Sequence, residues 1–481
     1  MKTFIKQHQT YFECLSYGLV SGVIMMLLTR GGVTLSPDSI NYMSIAKIIN
    51  TGKITDALVA TWPPFFPMLI AFTNSFGFAA EESARIISVI MYIALVITIF
   101  LLAKATAGRL VAHLTSISML LFAPLLFVYS FSWSETVFIT LCAVSVLFLN
   151  KFFKSTDTHK SYVHLIWGGV FTGLALLTRY VGVALFISGL LVVLLKGGIR
   201  WPTQKIKVLI LYSIIACAPV ILYVIACQYF KGQLPGYGHP TLPSFWYNFG
   251  SFINVVYHDL LTFDLRFANP RIFPYVVRWK PNIPIDILGK VCALLFILLF
   301  ISYFVLKSFR AMIKDQIPIL VFIGCYSLFF AFIISVFIPL SMETRFCSPI
   351  YPFLLIFGFS IIVGVFTSIG NRKIKSLFQV IAIVVVLSFW FIQAGSSVNV
   401  FQRMVQTETP TMKQADITDD GVFDISDILF LLNYLFKNGP APKPLQNANV
   451  NCDDTINIGD VVYLVNYVYR NGPPPCNYRG Y

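Results

Sequence analysis

Eleven stretches of the chain are apolar for long enough to cross a bilayer, and that leaves few folds open. They fall at about 11–29, 84–104, 112–130, 134–153, 163–178, 180–196, 207–230, 287–306, 317–339, 346–368 and 378–397. A spanning helix needs about 20 mostly apolar residues, and it satisfies its backbone internally where no water is available. The expected fold is therefore an all-α polytopic membrane protein with about eleven transmembrane helices. Composition agrees, since 57% of the 481 residues are hydrophobic and only 12% are charged. So little charge over this length excludes a soluble domain.

The charges orient the helices. Net charge is +14, but from Lys413 onward there are five basic and eight acidic residues, which leaves +17 on the rest. Basic residues gather in alternate short loops: Lys104 and Arg109; Lys151, Lys154 and Lys160; Lys196, Arg200, Lys205 and Lys207; Lys307, Arg310 and Lys314; Arg372, Lys373 and Lys375. The positive-inside rule then puts the N-terminus in the cytoplasm and, with an odd number of spans, the C-terminus outside. A prokaryotic cytoplasmic membrane is the expected location. The basic excess needs no nucleic-acid partner, and none is expected. Lys2 and Lys6 precede the first apolar run as in a signal peptide, but Leu28-Thr29-Arg30 offers no small-residue cleavage site, so a retained helix is expected.

The same orientation collects the unusual polar groups on the outer face. The first outer loop, Thr34 to Pro67, holds Asp38 in a Ser-Pro-Asp-Ser turn. Ile40, Met43, Ile45, Ala46, Ile48 and Ile49 follow at near-helical spacing, which predicts a short helix on the membrane surface. Trp62-Pro63-Pro64 then breaks the chain. Glu135 follows Ser132-Trp133-Ser134 in a tight turn, Arg179 lies where two apolar runs meet, and Glu343 and Arg345 occupy SMETRF. Any one of them would pass for a helix-end residue reaching the headgroups. Their convergence on the face opposite the basic loops points to a site.

Together these features resemble the GT-C glycosyltransferases, and nearest the protein O-mannosyltransferase and aminoarabinose-transferase type, over roughly residues 10 to 400. The resemblance is carried by the Asp38 loop with its surface helix and W-P-P-x-x-P. Further support comes from Gly169, Gly173, Leu174, Ala175, Leu177 and Arg179, from the Ser-Glu step at Glu135, and from Arg345, Phe346, Pro349 and Pro352. It implies a polyprenyl-phosphate-linked sugar donor reached from the membrane lipids, and inverting transfer to a protein, lipid or glycan acceptor on the outer face. Asp38 would be the catalytic base, and Glu135 would orient an acceptor or arginine partner or help hold a divalent ion. Arg179 and Arg345 would bind the donor phosphate. Many relatives carry an acidic pair in the first loop or an Asp in the second; here Asp38 stands alone and the second acid is a Glu, which leaves the catalytic pairing and any metal open. The long outer loop 231–286 carries Phe245, Trp246, Tyr247, Phe249, Trp279, His239 and His258, whose rings would stack on an acceptor or fold the loop against the interface.

Beyond Gln402 the composition changes. After a linker at 403–412, residues 413–481 contain a 33-residue repeat. Oxygen-bearing side chains recur at loop positions 1, 3, 5, 9 and 12: Asp416, Thr418, Asp420, Asp424 and Asp427, then Asn449, Asn451, Asp453, Asn457 and Asp460. This is the EF-hand-like spacing that wraps a calcium ion. Two such loop-helix units resemble a type I dockerin domain, which implies Ca2+ as cofactor and a cohesin-like partner. Cys452 and Cys476 stand apart from the spans and are candidates for a disulfide.

The chain thus reads as a membrane glycosyltransferase domain over 1–402 and a small EF-hand-like domain over 413–481. A transporter or flippase, a lipid-linked polysaccharide polymerase, or a cell-surface anchor worked by its dockerin are the competing readings. A transporter would place its charges in mid-membrane, a polymerase would lack the Asp38 loop, and an anchor would need only one helix.

Overall fold

The computed structural model describes residues 2–58, 63–199, 202–232, 283–304, 307–337 and 344–406, and positions 250, 252, 253, 255, 256, 259 and 260 of the loop between; in the tail it describes 417, 418, 425–437, 439–442, 445–451, 453 and 455–470. The chain divides into two compact units, one of residues 1–268 and 278–402 and one of 269–277 and 403–481. Among the described residues both are helical, and the only extended pairing is an isolated bridge between Thr34 and Phe131.

The larger unit runs through α1 (Lys2–Leu28), α2 (Pro37–Asn50), α3 (Phe65–Asn74), α4 (Ala80–Ala107), α5 (Arg109–Leu121), α6 (Ala123–Tyr129), α7 (Ser134–Lys154), α8 (Thr158–Thr178), α9 (Val183–Leu195) and α10 (Thr203–Lys231). It continues with α11 (Ile283–Phe304), α12 (Lys307–Asp315), α13 (Ile317–Phe337), α14 (Thr344–Cys347), α15 (Tyr351–Ser368) and α16 (Arg372–Gln406). Among the described residues seven helices are long and apolar enough to cross a membrane, or nine if each of two bent pairs is one span. That is fewer than the eleven expected. Residues 180–196 form only a short apolar helix, and α11, over the expected span at 287–306, is not among those counted.

The expected span 112–130 is a bent pair, α5 and α6, which meet at 57°. Pro124 stands in the first turn of α6 and supplies no N–H to continue α5. Helix α16 satisfies the groups freed by the break: Gln393 Oε1 accepts from the Ala123 amide at 3.1 Å, and Ser397 donates to the Leu121 carbonyl at 2.5 Å. A sequence window sees unbroken hydrophobicity here because the break is repaired from another helix.

Burial separates central from peripheral helices. Helix α7 and the span Thr344–Val365 each bury 78% of their apolar window, whereas α1 buries 28% and α10 22%. The outward faces of the latter two show side chains such as Leu19 and Leu222, as lipid-facing helices do. The Gly169 and Gly173 pair lets α8 and α10 touch: a Cβ on Gly173 would come within 3.0 Å of the Ala216 carbonyl, and one on Gly169 within 3.0 Å of Ile215. The motif thus fixes α8 against α10 and delivers Arg179 at the end of α8.

In the smaller unit, α17 (Ile425–Phe436) and α18 (Ile458–Arg470) close over Ile417, Ile428, Leu431, Ala448, Val450, Val461 and Leu464. Ile417 and Val450, Ile428 and Val461, and Leu431 and Leu464 stand 33 positions apart, so each copy of the repeat contributes matching residues to one core. Cys452 and Cys476 lie outside the described residues.

Candidate active site

The first outer loop is stitched to the turn before α7. Thr34 N–H donates to the Ser130 carbonyl at 2.9 Å, and Ser132 N–H donates to the Thr34 carbonyl at 3.0 Å. Ser36 caps α2 in a capping box with Ser39, and Pro37 occupies the first turn. The two cap serines also reach across: Ser39 Oγ donates to the Ser132 carbonyl at 2.9 Å, and Trp133 Nε1 donates to Ser36 Oγ at 2.8 Å. Asp38 is thereby held in the first turn of α2 and Glu135 in the first turn of α7. A carboxylate is favoured at both places by the helix dipole.

Two arginines meet these acids. Arg179, at the C-terminal cap of α8, places Nη1 2.7 Å from Glu135 Oε1 and donates to Ser134 Oγ at 3.1 Å. Arg345, from α14, donates through Nη1 to Asp38 Oδ2 at 2.9 Å, and its Nε lies 3.9 Å from Glu135 Oε1. Its guanidinium sits over Trp133 at 5.0 Å and Phe346 at 4.7 Å from the ring centroids, with Arg179 5.9 Å from the Phe346 ring. Two acids and two arginines from four separate stretches thus form one neutral cluster on an aromatic bed. Glu135 is 3% exposed and Asp38 27%. Glu135 is the buried structural partner, and Asp38 is the carboxylate within reach of solvent.

Burial, the largest single influence, works against a cation at Arg179, but Glu135 together with Tyr42 and Tyr326 outweighs it and holds the guanidinium above its ordinary pKa. Burial likewise raises the Tyr42 phenol, so it stays protonated in its 3.0 Å hydrogen bond with Ser134 Oγ.

The four residues singled out from the sequence, Asp38, Glu135, Arg179 and Arg345, stand together; Glu343, Trp62 and the loop aromatics and histidines named above lie outside the described residues. A helix, α2, forms over the first-loop stretch, as expected, with a different inner face. Tyr42, Ile45 and Ala46 are buried while Ile40 is 60% exposed. Tyr42 and Ser134 escaped the sequence reading because a tyrosine or serine beside apolar residues carries no distinguishing signal. Asp259 escaped it as well. It is 1% exposed, accepts from Thr344 Oγ1 at 3.2 Å, and accepts from the Tyr351 hydroxyl.

Of the repeat's ligand candidates, Asp416, Asp420 and Asp424 lie outside the described residues, while Thr418, Asp427, Asn449, Asn451, Asp453, Asn457 and Asp460 are described. Asp427 Oδ1 accepts from the amides of Ile417 and Thr418, and Asp460 Oδ1 from those of Val450 and Asn451. The position-12 carboxylate therefore folds back on its own loop in both copies. Among the described residues no group of three or more His, Cys, Asp or Glu side chains is placed to hold a metal ion. The second loop's other oxygens come from the amides Asn449, Asn451 and Asn457, with Asp453 its second carboxylate.

A family model described as dolichyl-phosphate-mannose-protein mannosyltransferase matches residues 61–223, about a third of the chain. No curated protein matches the sequence. Among solved structures the chain is similar to ArnT from Cupriavidus metallidurans bound to undecaprenyl phosphate, at 14% identity and a TM-score of 0.56, over 96% of this chain and 89% of that one. The apo state of the same protein matches at 13% identity and a TM-score of 0.54, with the same coverage. The protein O-mannosyltransferase Pmt1-Pmt2 complex of S. cerevisiae bound to its sugar donor matches at 15% identity and a TM-score of 0.37, over 48% of this chain and 36% of that one. The ArnT likeness extends over nearly the whole chain and shows the fold.

Proposed function

We propose that the chain is an integral membrane glycosyltransferase that takes a sugar from a polyprenyl-phosphate donor. The observation that carries this is the neutral cluster of Asp38, Glu135, Arg179 and Arg345 at one rim of the helices. The ArnT-like fold and the mannosyltransferase match over 61–223 support it. The positions of these charges at helix ends, rather than within spans, weigh against a transporter.

In this reading the donor lies among the helices with its phosphate at the rim. The phosphodiester competes with Asp38 for Arg345, because a planar guanidinium fork suits either anion. Its arrival frees Asp38 to accept the proton of an acceptor hydroxyl. The acceptor oxygen attacks the anomeric carbon with inversion, the carbon–oxygen bond to phosphate breaks, and its electron pair passes to the phosphate. The leaving polyprenyl phosphate gains one negative charge, so Arg179 and Arg345 hold the departing group more strongly than the donor. Glu135 keeps Arg179 charged and aimed.

The finer features belong to the same proposal: eleven spans, a cytoplasmic N-terminus, and an EF-hand-like, dockerin-type tail outside, available to a cohesin-like partner. The tail's donor set fits calcium. Carboxylate, amide and hydroxyl oxygens at five loop positions are the hard ligands that ion takes. Asp416, Thr418, Asp420, Asp424 and Asp427 would hold one ion, and Asn449, Asn451, Asp453, Asn457 and Asp460 the other. Bound there, calcium supplies cross-linking of loop to helix.

Incubating the purified protein with a panel of radiolabelled polyprenyl-phosphate sugars, and following loss of label from the lipid, tests the activity. Release from one donor that requires Asp38 is expected; no release from any donor, with or without acceptors, contradicts it.

A further inference from the structure

The buried acid Asp259 has no part in the cluster itself, yet it holds the backbone that carries Arg345. It comes from the loop between α10 and α11 and is 1% exposed. One carboxylate oxygen accepts from Thr344, the residue before Arg345, and the other from Tyr351, which opens α15. The carboxylate therefore bridges both ends of the short segment Thr344–Tyr351. Two further bonds hold the same segment: Tyr326 donates to the Phe346 carbonyl at 2.9 Å, and Ser348 Oγ donates to the Arg345 carbonyl at 2.6 Å. A buried carboxylate is costly unless its lone pairs are used. Here they are used on the two residues that frame the arginine.

We infer that Asp259 is a positioning residue for Arg345, fixing through Thr344 and Tyr351 the aim of the guanidinium that receives the donor phosphate. This rests on the donor-phosphate reading above. The geometry gives the loop between α10 and α11 a defined task. Asp259 supplies the clamp for the backbone of Arg345, whose guanidinium lies against the Trp133 and Phe346 rings, 2.9 Å from Asp38. Asparagine at 259 has nearly the same shape but is neutral and has only one acceptor oxygen, so one of the two hydroxyls keeps a neutral acceptor and the other loses its acceptor.

The test is equilibrium binding of radiolabelled undecaprenyl phosphate to the full-length protein, alongside donor KM and kcat. Asp259→Asn is expected to weaken binding and raise donor KM about tenfold, the scale of one hydrogen bond to a charged group. The kcat should fall as well, because Arg345 holds the departing phosphate more strongly than the donor, and the thermal midpoint should change little. Tyr351→Phe, which removes one partner with little change of shape, should reproduce the direction of the effect if Asp259→Asn folds poorly. Asp259→Glu should restore part of the binding. The decisive arm is the double variant: in an Arg345→Lys background, Asp259→Asn should add little, because its effect passes through the arginine fork. Effects that simply add, or Asp259→Asn and Tyr351→Phe both binding as the parent does while Arg345→Lys binds weakly, overturn the inference alone. Undiminished binding by Arg345→Lys overturns the phosphate reading and this inference with it.

Discussion

The two rims of the membrane unit handle charge in opposite ways. At the rim where α1 ends, two carboxylates meet two arginines drawn from α2, α7, α8 and α14. At the other rim Glu13 of α1 meets three basic side chains, and Asp315 lies 3.5 Å from Lys154 Nζ. Glu13 pairs with Arg109, lies 3.9 Å from Lys104 Nζ, and faces His113 Nε2 at 3.4 Å. Other cations there bind the last carbonyls of helices. Lys196 donates to the carbonyls of Phe152, Phe153 and Ser155, and Lys154 donates to that of Ala105 at 2.8 Å. These lysines are point charges at helix C-termini, where the dipole welcomes them. They fasten helix to helix. The arginines of the first rim are planar forks paired with side-chain anions, and one anion can be exchanged for another. Charge at a membrane boundary thus fastens helices on one rim, and on the other it stands where the proposed chemistry would take place.

Removing the proposed base should have the largest effect. Asp38→Asn is expected to lower transfer by about 10²–10⁴-fold, the usual scale for loss of a general base, with expression unchanged. Initial rates with a labelled donor check it, and a rate within a few-fold of the parent breaks the contrast between rims. Arg179→Lys keeps charge but loses the fork; donor KM should rise about tenfold with acceptor KM unchanged. Glu13→Gln, on the structural rim, should do the reverse. Transfer kinetics should stay within about twofold while the thermal midpoint in detergent falls slightly, because the partly exposed Lys104 and Arg109 lose the carboxylate they share. If kinetics change and stability does not, the opposite rim belongs to the reaction.

The smallest effect on transfer is expected from the tail. Asp427→Ala with Asp460→Ala should abolish calcium binding, read by calorimetry on the full chain, and leave transfer unaltered. Before that change the two sites should be unequal. The first loop offers four carboxylates and Gly421 at its turn, the second only Asp453 and Asp460, with Asp454 where a glycine is favoured. Equal affinities would show that carboxylate number does not rank them.

How much could be read beforehand follows from where each signal resides. The long apolar helices were legible because membrane burial imposes length and composition on the sequence itself. The bend at Phe122 was not, since Pro124 marks a possible break while the partners that make it stable, Gln393 and Ser397, lie some 270 residues away. Asp38, Glu135, Arg179 and Arg345 stood out as charges beside apolar runs. Their pairing was not legible: nothing local matches Arg179 with Glu135 rather than with Asp38. Asp259 lies outside the long apolar runs, where an acid is unremarked, and only its burial against Thr344 and Tyr351 singles it out. In the tail the 33-residue period was visible in the ligand pattern, and the matched core residues Ile417 and Val450 lie on the same period.

At the proposed donor site the central step is the exchange at Arg345 of Asp38 for a lipid phosphate. Equilibrium binding of undecaprenyl phosphate, without any sugar, to the parent protein, Asp38→Asn and Arg345→Lys tests it in one experiment. Asp38→Asn removes the competing carboxylate and should bind the lipid at least as tightly as the parent, although it no longer turns over. Arg345→Lys should bind it about tenfold more weakly. Weaker binding by Asp38→Asn, or equal binding by all three proteins, would contradict the exchange and with it the assignment of this rim as the donor site.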